Sequence, residues 1–104
     1  MPNAGKFTAA ISTGELAAGS HAVYTGICYL AGLQVLIDGT NDGEIVVYDN
    51  TAASGKVIGR HKIEGTALAH YGGRNFSFPV VAQTGLYAVI TGTNAKGIVE
   101  YIAK

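Results

Sequence analysis

The densest grouping of oxygen donors in the chain is DGTNDGEIVVYD, residues 38–49. It sets Asp38, Thr40, Asp42, Gly43, Glu44 and Asp49 near the spacing of a twelve-residue calcium loop. Such a loop closes with a bidentate Glu. Here the third position is Thr40, the last is Asp49, and no helix pattern flanks the segment. The intervening IVVY has strand character, and an extended chain carries Asp49 roughly 13 to 17 Å from Glu44, too far to share one ion. The grouping is therefore read as a turn in which Asp and Asn side chains bond nearby backbone.

Other reactive side chains are equally dispersed. His21, His61 and His70 are the only imidazoles, and their uneven spacing matches no compact zinc motif, so His61 and His70 are expected on partly exposed strands or in hydrogen-bonded contacts. Cys28 is the single cysteine, which excludes a disulfide within the chain, and its apolar setting VYTGICYL reads as a buried small hydrophobe. Ser12, Ser20, Ser54 and Ser77 lie in no G-x-S-x-G nucleophile elbow. The pairs Glu44 with Glu64, and Glu15 with Glu100, would act as acid and base only if the fold set them across a cleft, and each is more simply a solvated charge. ASGKVIG, residues 53–59, lacks the upstream glycine and the strand-loop-helix context of a phosphate-binding loop, which leaves Lys56 as a cation flanking a turn. No catalytic residue, metal ligand or cofactor site is expected, and the chain is not expected to be an enzyme.

What must position these side chains is one small domain. The 104 residues suffice for a single core, and a domain of this size has a narrow stability margin unless a neighbour covers more of it. Only 13% of residues are charged, against about 25% in an average soluble domain, so the surface relies on Thr, Ser, Asn, Gly and Tyr or is partly covered by other subunits. Seven basic residues balance seven acidic ones and are scattered, which argues against nucleic acid as a partner. The N-terminus lacks a leader pattern and no window is long and apolar enough for a membrane helix, so a chain made in the cytoplasm and not anchored in a membrane is expected.

The pattern is that of short strands. GKFTAAIS, residues 5–12, reads as a first strand after an extended arm at 1–5, and Thr13 to Ser20 as a loop or single turn. Residues 21–39 read as two strands, or one bent near Ala31 and Gly32. Turns at 38–43 and 50–56 bracket a strand at 44–49 whose two faces are both apolar. Further strands are expected at 56–63 and 66–71, then a turn at Gly72 and Gly73, then a strand with Phe76, Phe78 and Val80 on one face. Pro79 lacks an amide donor and places that strand at an edge or a bulge. Residues 85–92 and 96–104 form the last two strands, with Val99 and Tyr101 inward because Glu100 is costly to bury. About eight strands with glycine-rich turns predict an all-β domain spanning 1–104, an antiparallel β-sandwich or a jelly-roll-like small barrel. Tyr24, Tyr29, Tyr48, Tyr71, Tyr87 and Tyr101, with Phe7, Phe76 and Phe78, divide between core and contact surface.

EIVVYDNTAASGKVI, residues 44–58, and FSFPVVAQTGLYAVITGTNAKGIVEYI, residues 76–102, resemble a pattern in small virion-associated proteins of tailed bacteriophages and prophages. The elements are Tyr48 and Asp49 leading into a turn, Phe78 and Pro79, and Gly85, Leu86 and Tyr87 leading into a last hairpin. The resemblance implies a capsid decoration, cement or neck-associated β-sandwich subunit. It would be a homotrimer without cofactor, assembled in the host cytoplasm into the virion and bound to major capsid or neck proteins. It would clamp neighbouring subunits together. The alternative reading is a carbohydrate- or protein-binding β-module.

Overall fold

The computed structural model describes residues 9–103. Nine strands follow in order: β1 (Ile11–Ser12), β2 (Leu16–Ala17), β3 (Gly19–Thr25), β4 (Cys28–Leu36), β5 (Gly43–Asp49), β6 (Lys56–Ile63), β7 (Tyr71–Ala82), β8 (Gly85–Thr91) and β9 (Lys96–Ala103). They form two antiparallel sheets. The first runs β1-β9-β4-β7, with β2 also paired to β9, and the second runs β3-β8-β5-β6. The all-β, antiparallel expectation holds. Only β5 and β6 are joined as a hairpin among the described strands, because almost every other connection carries the chain from one sheet to the other. The last two strands accordingly form no hairpin: β8 lies in the second sheet and β9 in the first.

The core lies between the sheets. Leu30, Leu33, Val35 and Val99 from the first sheet meet Ile45, Val47, Leu86, Ala88 and Ile90 from the second, all buried. In β4 the buried side chains change parity, from Cys28 and Leu30 to Leu33 and Val35, which a strand of period two cannot do unaided. A bulge between Leu30 and Gly32 inserts Ala31 as the extra residue and turns both halves of the strand inward. The bend expected near Ala31 and Gly32 is this bulge, while the chain breaks between strands at Gly26 and Ile27. Gly59 of β6 leaves room for β4: a Cβ there would stand 2.6 Å from Leu33 Cδ2 and 3.0 Å from Leu30 Cδ2. The β5 expectation holds on both faces, since Ile45 and Val47 are in the core and Val46 is buried on the other side. Val99 and Tyr101 point inward as expected.

Several boundaries differ. Of residues 5–12 only Ile11–Ser12 is strand among the described residues, and the arm at 1–5, like Phe7, lies outside them. The loop expected over Thr13 to Ser20 contains β2, paired to Gly97 and Lys96, and the start of β3. Residues 66–70 are not strand. Ala67 N–H donates to Glu64 C=O (3.0 Å) and Gly65 N–H to Asp42 Oδ1 (2.6 Å), so the segment folds back on itself and on the β4–β5 loop instead of joining a ladder. Gly72 and Gly73 are not a turn but part of β7, opposite Val35 and Gln34. A Cβ at Gly72 would stand 2.9 Å from His61 Nε2 and 3.2 Å from Ile63 Cδ1, so the missing side chain lets the edge of one sheet approach the edge of the other. Composition alone reads such a pair as a turn, because close approach and tight turning both select glycine.

Candidate interaction surface

The aspartates of the apparent calcium loop are committed to backbone and side-chain amides. Asp38 Oδ1 accepts from Thr40 N–H (2.8 Å) and Asn41 N–H (2.9 Å), and Oδ2 accepts from the amides of Asn41 (2.9 Å) and Asn94 (3.0 Å). This is the side-chain turn expected from the sequence, and Asn94 ties it to the β8–β9 connection. The Asn41 backbone bond first, then those of Asn94, Thr40 and the Asn41 side chain, hold the Asp38 carboxyl far below the ordinary range. Asp49, at the opposite end of β5, accepts from the N–H groups of Gln83 (2.9 Å), Thr84 (2.9 Å) and Gly85 (3.4 Å) and so clasps the β7–β8 connection. Partial burial raises its pKa, but those three bonds and the Lys56 charge outweigh it, and the net shift is downward. Asp38, Asp42 and Asp49 thus fix three different loops.

The remaining candidates do not converge. Among the described residues no group of three His, Cys, Asp or Glu side chains is placed to hold a metal ion. His21 Nε2 lies 2.7 Å from Ala17 C=O, His61 borders Gly72, and His70 packs over Gly39. Cys28 is fully buried, and burial followed by the Asp49 charge pushes its thiol up, away from the thiolate a nucleophile needs. Glu44 pairs with Arg60 (3.4 Å) and Glu64 with Lys62 (3.7 Å), while Glu15 sits exposed between β1 and β2 and Glu100 is half-buried on β9. Ser12 accepts from Gly14 N–H (3.1 Å), and Ser54 from the Asn50 amide (3.3 Å). The two best-formed depressions hold about 200 and 210 Å³, below the roughly 300–1,000 Å³ of a small-molecule site.

Exposed apolar side chains, by contrast, concentrate along one strand. Among the described residues β7 is the edge of the first sheet, paired on one side only, to β4. Its ladder runs from Tyr71 opposite Leu36 to Asn75 opposite Gly32 and resumes with Val80 opposite Leu30, so Phe76 to Pro79 bow out opposite the single residue Ala31. Pro79 sits in this bulge, where its missing N–H breaks no ladder bond. Phe76 turns inward under the Arg74 guanidinium, 5.6 Å from its ring centre, whereas Phe78 points out and is 89% exposed. The expected common face of Phe76, Phe78 and Val80 is therefore corrected: the bulge removes Phe78 from it. Val81 and Tyr71 are also exposed on β7, and Leu68, just before the strand, is wholly so. Four large apolar groups thus mark one edge. The sequence signal that could have found Phe78 is Phe-x-Phe-Pro, since Pro79 interrupts the alternation that would bury both rings.

No protein-family model, curated protein or solved structure matches this chain. That finding overturns the assignment to a viral structural, bacteriophage, virion, capsid-decoration or cement protein. The residues that carried it have local physical roles: Asp49 clasps the β7–β8 connection, Phe78 and Pro79 form the β7 bulge, and Gly85 to Tyr87 open β8.

Proposed function

We propose that this chain is a non-enzymatic assembly module, a β-sandwich that works by packing the β7 edge of its first sheet against neighbouring subunits. The observation that carries the reading is that four of the seven exposed large apolar side chains among the described residues, Leu68, Tyr71, Phe78 and Val81, lie on β7 or just before it, the two most exposed among them. Burying a Leu or Phe side chain is worth about 1.5–3 kcal/mol, so a few of them offset much of the entropic cost of association. A homo-oligomer is the simplest assembly, because a domain this small gains stability from every copy that covers it.

The test is molar mass by light scattering behind a sizing column, over a micromolar to millimolar concentration series. A mass above the 10.7 kDa of one chain that rises with concentration supports assembly. A monomer throughout contradicts it and favours the second reading, a carbohydrate-binding module. That reading rests on the depression where exposed Tyr71 stands beside Gln34, Arg74 and Asn75, a ring flanked by amides as a sugar requires. A glycan screen with Tyr71→Ala as control would then decide it.

A further inference from the structure

The sheet edges are not equally protected against strand addition. β1 and β2 are two residues long, β3 carries a bulge between Ala22 and Tyr24, and β6 carries a bulge together with Lys56, Arg60 and Lys62. Short length, bulges and cationic side chains are the usual means of blocking edge-to-edge pairing. The second half of β7 has its own bulge and Pro79. Tyr71 to Asn75 is left with no bulge and no proline, it includes Gly72 and Gly73, and its one cation, Arg74, is laid over the Phe76 ring.

The backbone of that stretch has a definite orientation. Ile37 N–H donates to His70 C=O (2.8 Å), one step before Leu36 pairs with Tyr71. In an antiparallel ladder the bonded pairs alternate, so Val35 with Gly72 and Leu33 with Arg74 exchange bonds within the sheet. Tyr71, Gly73 and Asn75 turn their N–H and C=O groups away from β4, toward the open edge.

We propose that a second copy of this chain docks on this edge, β7 against β7, antiparallel about a two-fold axis through Gly73. This rests on the assembly reading above and gives it a partner and a register. Centring the axis on Gly73 pairs Tyr71 with Asn75 of the second copy, Gly73 with Gly73, and Asn75 with Tyr71, which uses all three outward backbone groups. The same symmetry relates the exposed side chains. Leu68 and Phe78, the two most exposed large apolar residues, lie equally far before and after Gly73. The axis sets the approach to β7 that carries Leu68 in each copy toward the Phe76–Pro79 bulge of the other, so each end of the seam is offered exposed apolar side chains. Arg74 falls opposite Gly72, so no like charges face each other directly. A closed two-fold pair leaves no further copy of this edge free. A five-residue seam with two flanking contacts is smaller than the roughly 1,600 Å² of a stable interface, so the dimer dissociates on dilution.

The experiment combines cross-linking with mass. In the variant Tyr71→Cys/Asn75→Cys, mild oxidation is expected to give a covalent dimer through disulfides between position 71 of one copy and 75 of the other, seen by intact mass. Tyr71→Cys alone should give little. Leu68→Asp and Phe78→Asp should each lower the dimer fraction at least tenfold with unchanged circular dichroism. Leu68→Lys combined with Phe78→Asp, which sets opposite charges at both ends, should recover part of it. Self-association that persists in Phe78→Asp, gives no 71-to-75 cross-link, or stops at a trimer would overturn this seam while leaving the assembly reading intact. A strictly monomeric chain would overturn both.

Discussion

The outer side of the second sheet and the β7 edge of the first solve the same problem in opposite ways. On the second sheet, Val46 faces outward yet is only 7% exposed, set between Arg60 of β6 and Val89 of β8, with Glu44 and Arg60 bridged beside it. On β7, Phe78 faces outward and is 89% exposed, with no comparable cover. A central strand can hide an apolar residue beneath side chains of both neighbours, whereas an edge strand has a neighbour on one side only. The chain thus covers one region itself and leaves the other exposed.

Substitutions can break this comparison, and the largest effect is expected where the two sheets share atoms. Leu33→Ala empties a fully buried site between them and should cost about 2–5 kcal/mol, read as a loss of denaturation midpoint. The same apolar-to-acidic change on the two outer regions should then diverge. Val46→Asp buries a carboxylate and should cost about 2 kcal/mol or more, whereas Phe78→Asp should leave fold stability within about 0.5 kcal/mol and act on association alone. Equal destabilisation by both changes would remove the distinction.

Asp49→Ala releases three N–H groups at the β7–β8 connection and should cost about 1 kcal/mol by chemical denaturation. The native pKa values of Asp38 and Asp49 both lie below the ordinary aspartate value of 3.8, so their contribution is complete above that pH and is lost as pH falls through the native values. Stability should therefore be flat in these groups near neutrality and decline below about pH 4, with a shallower decline in Asp49→Ala. Arg60→Ala should have the smallest effect, within about 0.5 kcal/mol, because the Arg60 side chain is 61% exposed in its pair with Glu44.

Legibility in the sequence follows the same division. β5, β6, β8 and β9 were readable to within a residue or so, because β-branched and aromatic residues recur between strong turn formers there. The Asp38 turn was readable because its chemistry is local. β7 was not: Gly72 serves a close approach to His61 and Ile63 of the other sheet, Gly73 a close approach to the Leu33 carbonyl and Gln34 of β4, and the bulge answers to Ala31 of β4. Sheet order, and with it the knowledge that β7 is an open edge beginning at Tyr71, depends on such long-range pairings. The candidate surface was therefore invisible as a site, although Phe78 and Tyr71 were recognised as aromatics divided between core and contact.

The most direct test of the central claim is amide hydrogen exchange at Tyr71, Gly73 and Asn75, followed by NMR at low and high protein concentration. These three N–H groups face the open edge and are expected to exchange rapidly when dilute and to become protected together as concentration rises, while Gly72 and Arg74, bonded to β4, are protected throughout. Equal, rapid exchange of the three at every concentration would contradict assembly through the β7 edge.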